Sequence, residues 1–113
     1  MAFLDQRPVV EGHILVVPRI HARTILDMVP TSAGALMIAA THVARIVHRT
    51  LQPDGLTVFQ TNEVAGGQSV FHVHLHLVPR WEGDNLVAPW SAELAEENDL
   101  AQVRLKIIAR TGS

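Results

Sequence analysis

Apolar and polar positions alternate most sharply over residues 72–77, where three histidines alternate with three aliphatic residues. The histidines are His72, His74 and His76. Because successive side chains of a strand point to opposite faces, this alternation predicts a strand over residues 70–78 whose three imidazoles share one face. A row of titratable rings on a buried strand is costly unless the rings have a use, so this segment is the first candidate for a functional site.

Two longer stretches have the spacing of amphipathic helices. Residues 31–51 carry one apolar stripe at steps of three and four, which predicts a helix that ends in the turn at 52–55. Residues 92–109 predict a second helix with Ser91 as its N-cap, because acidic residues lie early in it and basic residues lie late. The C-terminal residues 91–113 are therefore assigned to this helix and its ends.

Three further stretches are rich in strand-forming residues, namely 2–5, 13–17 and 56–61. The loop that joins the third of these to the histidine-bearing strand is too short for a usual parallel crossover, so the two strands are predicted to be antiparallel. The order strand-strand-helix-strand-strand-helix favours a single α+β domain over residues 1–113. We expect an antiparallel β-sheet with two main helices.

Composition narrows the class of protein. The chain has 113 residues, of which 48% are hydrophobic and 18% charged, which is typical of a globular domain with its own core. The formal net charge of −2 argues against a general affinity for nucleic acid or anionic membranes. No apolar segment is long enough for a transmembrane helix and the first residues lack a signal-peptide layout, so a cytoplasmic protein is expected. The absence of cysteine excludes disulfides and thiolate chemistry.

The loop at 62–69, just before the histidines, favours a phosphate as the ligand of the row. Its two adjacent glycines allow a backbone to approach an anion closely, and Asn62, Gln68 and Ser69 add neutral donors. A neutral imidazole can attack phosphorus, and a neighbouring imidazole can donate a proton to the leaving group. The nucleophile, the proton donor and the hydrogen-bond donors to the phosphate would then come from one continuous segment.

A shared metal ion is a second interpretation of the row. Three same-face histidines at alternate positions span about 13 Å of strand, so the outer two would have to lean strongly inward to share one ion. We therefore expect no metal and no cofactor. An isolated histidine is usually a packed, hydrogen-bonded residue, and we assign that role to His42 and His48 on the first helix. Three histidines in five positions after a glycine-rich loop are harder to explain in that way.

These segments resemble the histidine triad (HIT) family of nucleotide hydrolases and transferases, whose signature is His-x-His-x-His followed by two hydrophobic residues. Residues 72–78 fit every position of that signature, and residues 67–70 before it fit as well. Upstream segments that also fit are 3–5, 12–18 and His21. The chain is identified as a member of this family over residues 2–80, with an expected HIT-like fold.

The resemblance implies a role for each matching residue. His74 would attack the α-phosphate of a nucleotide, and water would then hydrolyse the nucleotidyl-histidine intermediate. His76 and Ser69 would assist the leaving group, while His72 would orient the triad and His13 would support it from the neighbouring strand. The residues that would hold the nucleotide are Phe3, Asp5, Asn62, Gly67 and Gln68. Of these, Asp5 would accept hydrogen bonds from the ribose hydroxyls.

The resemblance also implies a homodimer with a continuous sheet, and a purine nucleotide or nucleotide conjugate as substrate. A histidine at position 76 favours hydrolysis over transfer to a sugar phosphate, but nucleoside phosphoramidates and dinucleoside polyphosphates both remain open. Family members usually carry a further helix and strand before the segment that contains Phe3, often with zinc-binding cysteines. We therefore expect an N-terminally short member. The alternatives are a nucleotide-binding module with little turnover that acts through protein partners, and a histidine-rich metal protein.

Overall fold

The computed structural model describes residues 1–86 and 92–111. Its elements, in chain order, are strand β1 (Ala2–Leu4), strand β2 (Ile14–Val16), helix α1 (Pro30–Leu51), strand β3 (Gly55–Phe59), strand β4 (Leu75–Arg80) and helix α2 (Glu97–Thr111). Two single 3-10 turns lie at Ile25–Asp27 and Val64–Gly66. The predicted α+β architecture, an antiparallel sheet with two main helices, is confirmed.

The four strands form one sheet in the order β1-β2-β4-β3, and every neighbouring pair is antiparallel. The register aligns one residue of each strand in a row across the sheet, since Phe3 pairs with Leu15, Leu15 with His76, and His76 with Phe59. Side chains in such a row lie on the same face and contact their neighbours. His76, the histidine of β4, therefore lies between Leu15 and Phe59.

Helix α1 covers the opposite face of the sheet. The core cluster joins Leu36 and Ala40 of the helix to Val16, Leu75 and Leu77 of the strands, and Leu77 is 0% exposed. The helix begins at a proline, whose fixed φ and missing N–H suit a first helical position. Its face towards the sheet carries the stripe that the spacing predicted.

The histidine-bearing strand begins later than predicted. It runs from Leu75 to Arg80, so residues 70–74 are not part of it, and the prediction of a strand over 70–78 is wrong at both ends. The reason is a long-range contact: the N–H of Val73 donates to the carbonyl of Ala22 at 2.7 Å, which fixes this segment against the loop that follows β2. The predicted alternation of burial still holds, with half-buried histidines and buried aliphatic residues over 72–77.

The C-terminal helix also begins later than predicted. Residues 92–96 have no regular structure, and α2 starts at Glu97, while the predicted N-cap at Ser91 lies outside the described residues. The apolar residues of α2 are exposed, including Leu100 at 46% and Val103 at 52%. No helix among the described residues is both long and apolar enough to cross a membrane.

We predict that Leu77→Ala lowers the free energy of unfolding by about 2–5 kcal/mol, because it removes a fully buried side chain and leaves a cavity between sheet and helix. Urea denaturation measures the change. The matched control is Leu94→Ala, since Leu94 is fully exposed and its truncation should change stability by less than about 0.5 kcal/mol. Equal effects of the two substitutions would contradict this account of the core.

Candidate active site

The candidate site lies on the face of the sheet that α1 leaves uncovered, at the start of β4. Alternation along β4 puts Leu75 and Leu77 into the core and turns His76 to the other face. His74 lies just before the strand, and the two imidazoles meet edge to face with centroids 4.7 Å apart. The third histidine, His72, is held elsewhere, as described below. Of the three histidines predicted to form one row, His74 and His76 are therefore in contact, and His72 is held separately.

His13 is a buried partner of this pair. It lies just before β2 and is 3% exposed, and its Nε2 is 2.9 Å from Nδ1 of His76. The N–H of Val9 donates to Nδ1 of His13 at 3.3 Å, so the proton of a neutral His13 is on Nε2. That Nε2–H donates to Nδ1 of His76. The proton of a neutral His76 is consequently on its own Nε2.

Both rings are neutral at pH 7 because burial disfavours the charged form. The pKa of His76 is lowered to about 4, mainly by burial and also by the neighbouring His74 and His13, while Asp5 acts in the opposite direction. Burial also lowers the pKa of His13, against the attraction of Asp5. The pair is therefore a hydrogen-bonded neutral couple, and the imidazolium of either ring is disfavoured.

His74 has the opposite tautomer. Its Nδ1 is 2.7 Å from the carbonyl oxygen of His72, which can only accept, so Nδ1 carries the proton of the neutral ring. The lone pair of His74 is then on Nε2. A half-buried imidazole with a free Nε2 lone pair has the form that a nitrogen nucleophile needs.

His72 links two loops. Its Nε2 donates to the carbonyl oxygen of Pro18 at 3.1 Å, and its Nδ1 lies 2.9 Å from Nδ1 of His21. These contacts fix the segment before β4 against the segment after β2. The carbonyl oxygen of His72 is also the acceptor that sets the tautomer of His74.

The glycine-rich loop is held by Gln68, whose side chain is 3% exposed. Its Oε1 accepts from the N–H of Glu63 at 2.7 Å, and its Nε2 donates to the carbonyl oxygens of Arg23 at 2.7 Å and Val70 at 3.0 Å. Every polar group of the amide is thus used within the protein. In this structure Gln68 shapes the loop, whereas the sequence predicted a donor to phosphate.

Asn62 is similarly occupied. Its Oδ1 accepts from the N–H of Ile25 at 2.8 Å and from Gln60 at 2.6 Å, and its Nδ2 donates to Oε1 of Gln60 at 2.7 Å. One hydrogen of Nδ2 has no role in these contacts. Gly67 adopts φ +97°, which favours glycine, and both Gly67 and Ser69 are exposed at the end of the loop.

Two residues predicted to hold the nucleotide lie on the same face as His76. Phe3 is 46% exposed in the row that contains His76. Asp5 follows β1, and its Oδ2 is 3.4 Å from Nε2 of His13 while its Oδ1 accepts from the N–H of Arg7 at 2.8 Å. The structure therefore brings Phe3, Asp5, His13, His74 and His76 to one region.

Contacts between distant segments of the chain could not be predicted from the sequence. Arg23 forms a two-bond ion pair with Glu63, at 2.6 and 3.2 Å, and its guanidinium lies 4.3 Å from the ring centre of Phe71. Phe59 stacks on His76 with ring centres 4.2 Å apart. Strand pairing creates the contact between Phe59 and His76, and no local sequence pattern near Phe59 predicts it.

Asp5, His13 and His76 could also be ligands of a metal ion, since each offers one ligand atom and the three atoms lie within 4.8 Å of one another. Two histidines and one carboxylate suit zinc and similar ions. However, a metal-bound histidine usually donates a hydrogen bond from its other nitrogen. That nitrogen of His13 instead accepts from Val9, so the hydrogen bonds fit the neutral histidine pair better than a metal.

Comparison with known proteins identifies the fold family. The pattern that defines the HIT domain matches residues 1–83. The chain belongs to the HIT domain family. The resemblance inferred from the triad is therefore confirmed, and nucleotide hydrolysis is supported at the level of the family.

Two relatives and one solved structure illustrate the match. Protein hit of Bacillus subtilis is 34% identical over 116 residues, covering 100% of this chain and 80% of the relative. The adenosine 5′-monophosphoramidase HNT1 of Saccharomyces cerevisiae is 31% identical over 110 residues, covering 96% of this chain and 67% of that enzyme. The crystal structure of a HIT family member from Bacillus subtilis matches with a TM-score of 0.89 at 31% identity, covering 99% of this chain and 82% of that one. For three further relatives the chain spans 56–60% of their length.

We predict that Gln68→Ala lowers the free energy of unfolding by about 1–3 kcal/mol, because it leaves one backbone N–H and two carbonyl oxygens without their partner. Thermal or urea unfolding measures the loss. Gln102→Ala on the exposed surface of α2 is the matched control and should be nearly neutral. A Gln68→Ala protein as stable as the control would show that the loop does not depend on this amide.

Proposed function

We propose that this HIT protein hydrolyses a nucleotide conjugate at its α-phosphate through a nucleotidyl-histidine formed on His74. The observation that carries the proposal is the hydrogen bond from Nδ1–H of His74 to the carbonyl of His72, which leaves the lone pair on Nε2. His76, with its proton on Nε2, lies against this ring. A lone pair and a donor N–H are the two groups that an attack at phosphorus requires.

In the first step, Nε2 of His74 would attack the α-phosphorus, forming a P–N bond as the bond to the leaving group breaks. Nε2–H of His76 would donate a hydrogen bond to the departing atom, with Ser69 as a second donor, and a departing amine would take up a proton from solvent. In the second step, water would attack the same phosphorus, break the P–N bond, lose a proton to solvent and release a nucleoside monophosphate. His74 would recover its lone pair, and its proton would stay on Nδ1, hydrogen-bonded to the carbonyl oxygen of His72, throughout.

The uncovered face of the sheet supports nucleotide binding beside these histidines. Phe3 offers an exposed ring on which a purine base can stack, and Asp5 offers a carboxylate to both ribose hydroxyls. A relative named adenosine 5′-monophosphoramidase favours nucleoside phosphoramidates as the first substrates to test, with dinucleoside polyphosphates second. We also propose that the protein is cytoplasmic.

A nucleotide-binding module with little turnover is the second candidate. The amides of Gln68 and Asn62 favour it, since both are largely used inside the protein and not free to stabilise a transition state. The hydrolase and the binding module both predict nucleotide binding, but only the hydrolase predicts turnover. Kinetics and binding therefore have to be measured on the same protein.

We predict that His74→Ala abolishes turnover of adenosine 5′-phosphoramidate, with a loss of at least about 1,000-fold in kcat, because the nucleophile is removed. Steady-state kinetics and trapping of an acid-labile adenylyl-enzyme by mass spectrometry measure the effect. His42→Ala is the control and should keep wild-type kinetics, because His42, like His48, is exposed on α1 and not packed as the sequence predicted. Full activity of His74→Ala would refute the assignment, while adenosine monophosphate binding without turnover in the wild type would favour the binding module.

We also propose that two copies join through β3. This strand is at one end of the sheet, so its outer N–H and C=O groups have no strand partner within the described chain. Beside it, on the helix-covered face, is an apolar groove of about 470 Å³ whose lining includes Met37, Leu56 and Val58. Leu56 and Val58 are 37% and 44% exposed. Pairing of β3 with its copy would extend the sheet and cover this groove.

We predict that the wild type sediments at twice its monomer mass of 12.4 kDa and that Val58→Lys shifts it to the monomer. The reason is that Val58 faces the groove next to the open strand, where a buried lysine would be costly. Analytical ultracentrifugation over a concentration series measures the shift. The control is Val9→Lys, which makes the same substitution at an exposed valine in the loop after β1. A wild type that is monomeric at all concentrations would contradict the dimer.

A further inference from the structure

Phe59 covers one face of the His76 ring. It is the last residue of β3 and pairs directly with His76 across the sheet. The two rings are stacked, with centroids 4.2 Å apart and planes inclined by only 7°. Phe59 is 39% exposed, so its ring separates His76 from solvent without belonging to the helix-covered core. Nearly parallel contact at this distance constrains the plane of an imidazole.

The stack complements the hydrogen bond from His13. The terminal torsion of a histidine side chain has a broad, roughly two-fold energy profile, so the backbone alone does not decide which nitrogen faces His13. Contact with Phe59 fixes the ring plane, and the Nε2–H of His13 then selects Nδ1 of His76 as acceptor. Phe59 also lies 6.4 Å from the ring of His13, which places all three rings in one cluster.

We propose that Phe59 is a positioning residue of this site: its ring holds the imidazole of His76 so that Nδ1 faces His13 and Nε2–H faces the substrate. Phe59 contacts neither the reacting phosphorus nor the nucleophile in this account, and it acts through His76 alone. The catalytic consequence rests on the proposed function. The orientation of His76 does not, since it can be measured in the free protein.

The direction of the effect on protonation follows from the groups around His76. The titratable groups that face it are His13, His74 and Asp5, of which the two imidazoles disfavour a charge on His76 and the carboxylate favours it. The largest cause of its lowered pKa is burial, to which the ring of Phe59 contributes by covering one face. Loss of the ring admits water, which should raise the pKa of His76 from about 4 towards 6.5. A cation–π attraction would act in the opposite direction, so the sign of the change is informative.

The test compares Phe59→Leu, which removes the flat ring, with Phe59→Tyr, which keeps it. Long-range ¹H–¹⁵N correlation spectra of the imidazoles report tautomer and titration midpoint for each histidine. In the wild type and Phe59→Tyr we expect His76 with its proton on Nε2. In Phe59→Leu we expect a mixture of tautomers and a midpoint higher by about one unit. Phe59→Val is a second variant with high strand propensity should the first fold poorly.

Phe71→Leu is the matched control, because Phe71 is also 39% exposed but its ring contacts Arg23. It should leave the signals of His76 unchanged.

In kinetics, Phe59→Leu should lower kcat more than it raises KM, with the larger loss below pH 6, where His76 of the variant takes up a second proton. A wild-type tautomer and midpoint in both Phe59→Leu and Phe59→Val would overturn the proposal. Altered His76 signals in a protein whose wild type has no turnover would support it while refuting the proposed hydrolase.

Discussion

The hydrogen bond between His13 and His76 is the interaction on which the candidate site depends. It joins a buried residue before β2 to the second residue of β4, and the pairing of Leu15 with His76 sets the distance. A buried and a half-buried imidazole are tolerated side by side here because both are neutral and because each is a hydrogen-bond partner of the other. The N–H of Val9 decides the direction of the bond. A backbone group outside the strands thereby fixes which nitrogen of His76 carries a proton.

The architecture could be predicted because it depends on local periodicity. Residues 31–51 carry a helical stripe, and residues 72–77 alternate, so helix α1 and the burial pattern of the histidines both follow from the sequence. The start of β4 could not be predicted in the same way. Its limit depends on the hydrogen bond from Val73 to Ala22, which joins segments far apart in the chain. The alternation of exposed and buried side chains therefore depends on the local sequence. Whether a residue belongs to a strand also depends on hydrogen bonds to distant segments.

The site shows the same division. Residue types and spacing identified the histidines and the glycine-rich loop, and the family resemblance added Asp5, but neither revealed how each polar group is used. Gln68 has the composition of a phosphate donor, yet its amide is buried and bonds to three backbone groups. Phe59 carries no chemical signal at all, and its contact with His76 exists only through strand register. Side-chain roles that depend on register or on saturation of hydrogen bonds require three-dimensional coordinates.

Two identical side chains acquire different chemistry here through their hydrogen-bond partners. The carbonyl of His72 can only accept, so it holds the proton of His74 on Nδ1 and leaves a lone pair on Nε2. The Nε2–H of His13 can only donate, so it leaves the proton of His76 on Nε2. A lowered pKa keeps His76 neutral and therefore preserves this difference at neutral pH. Opposite tautomers of two adjacent neutral rings give one free lone pair and one free N–H without placing a charge on the partly buried sheet face.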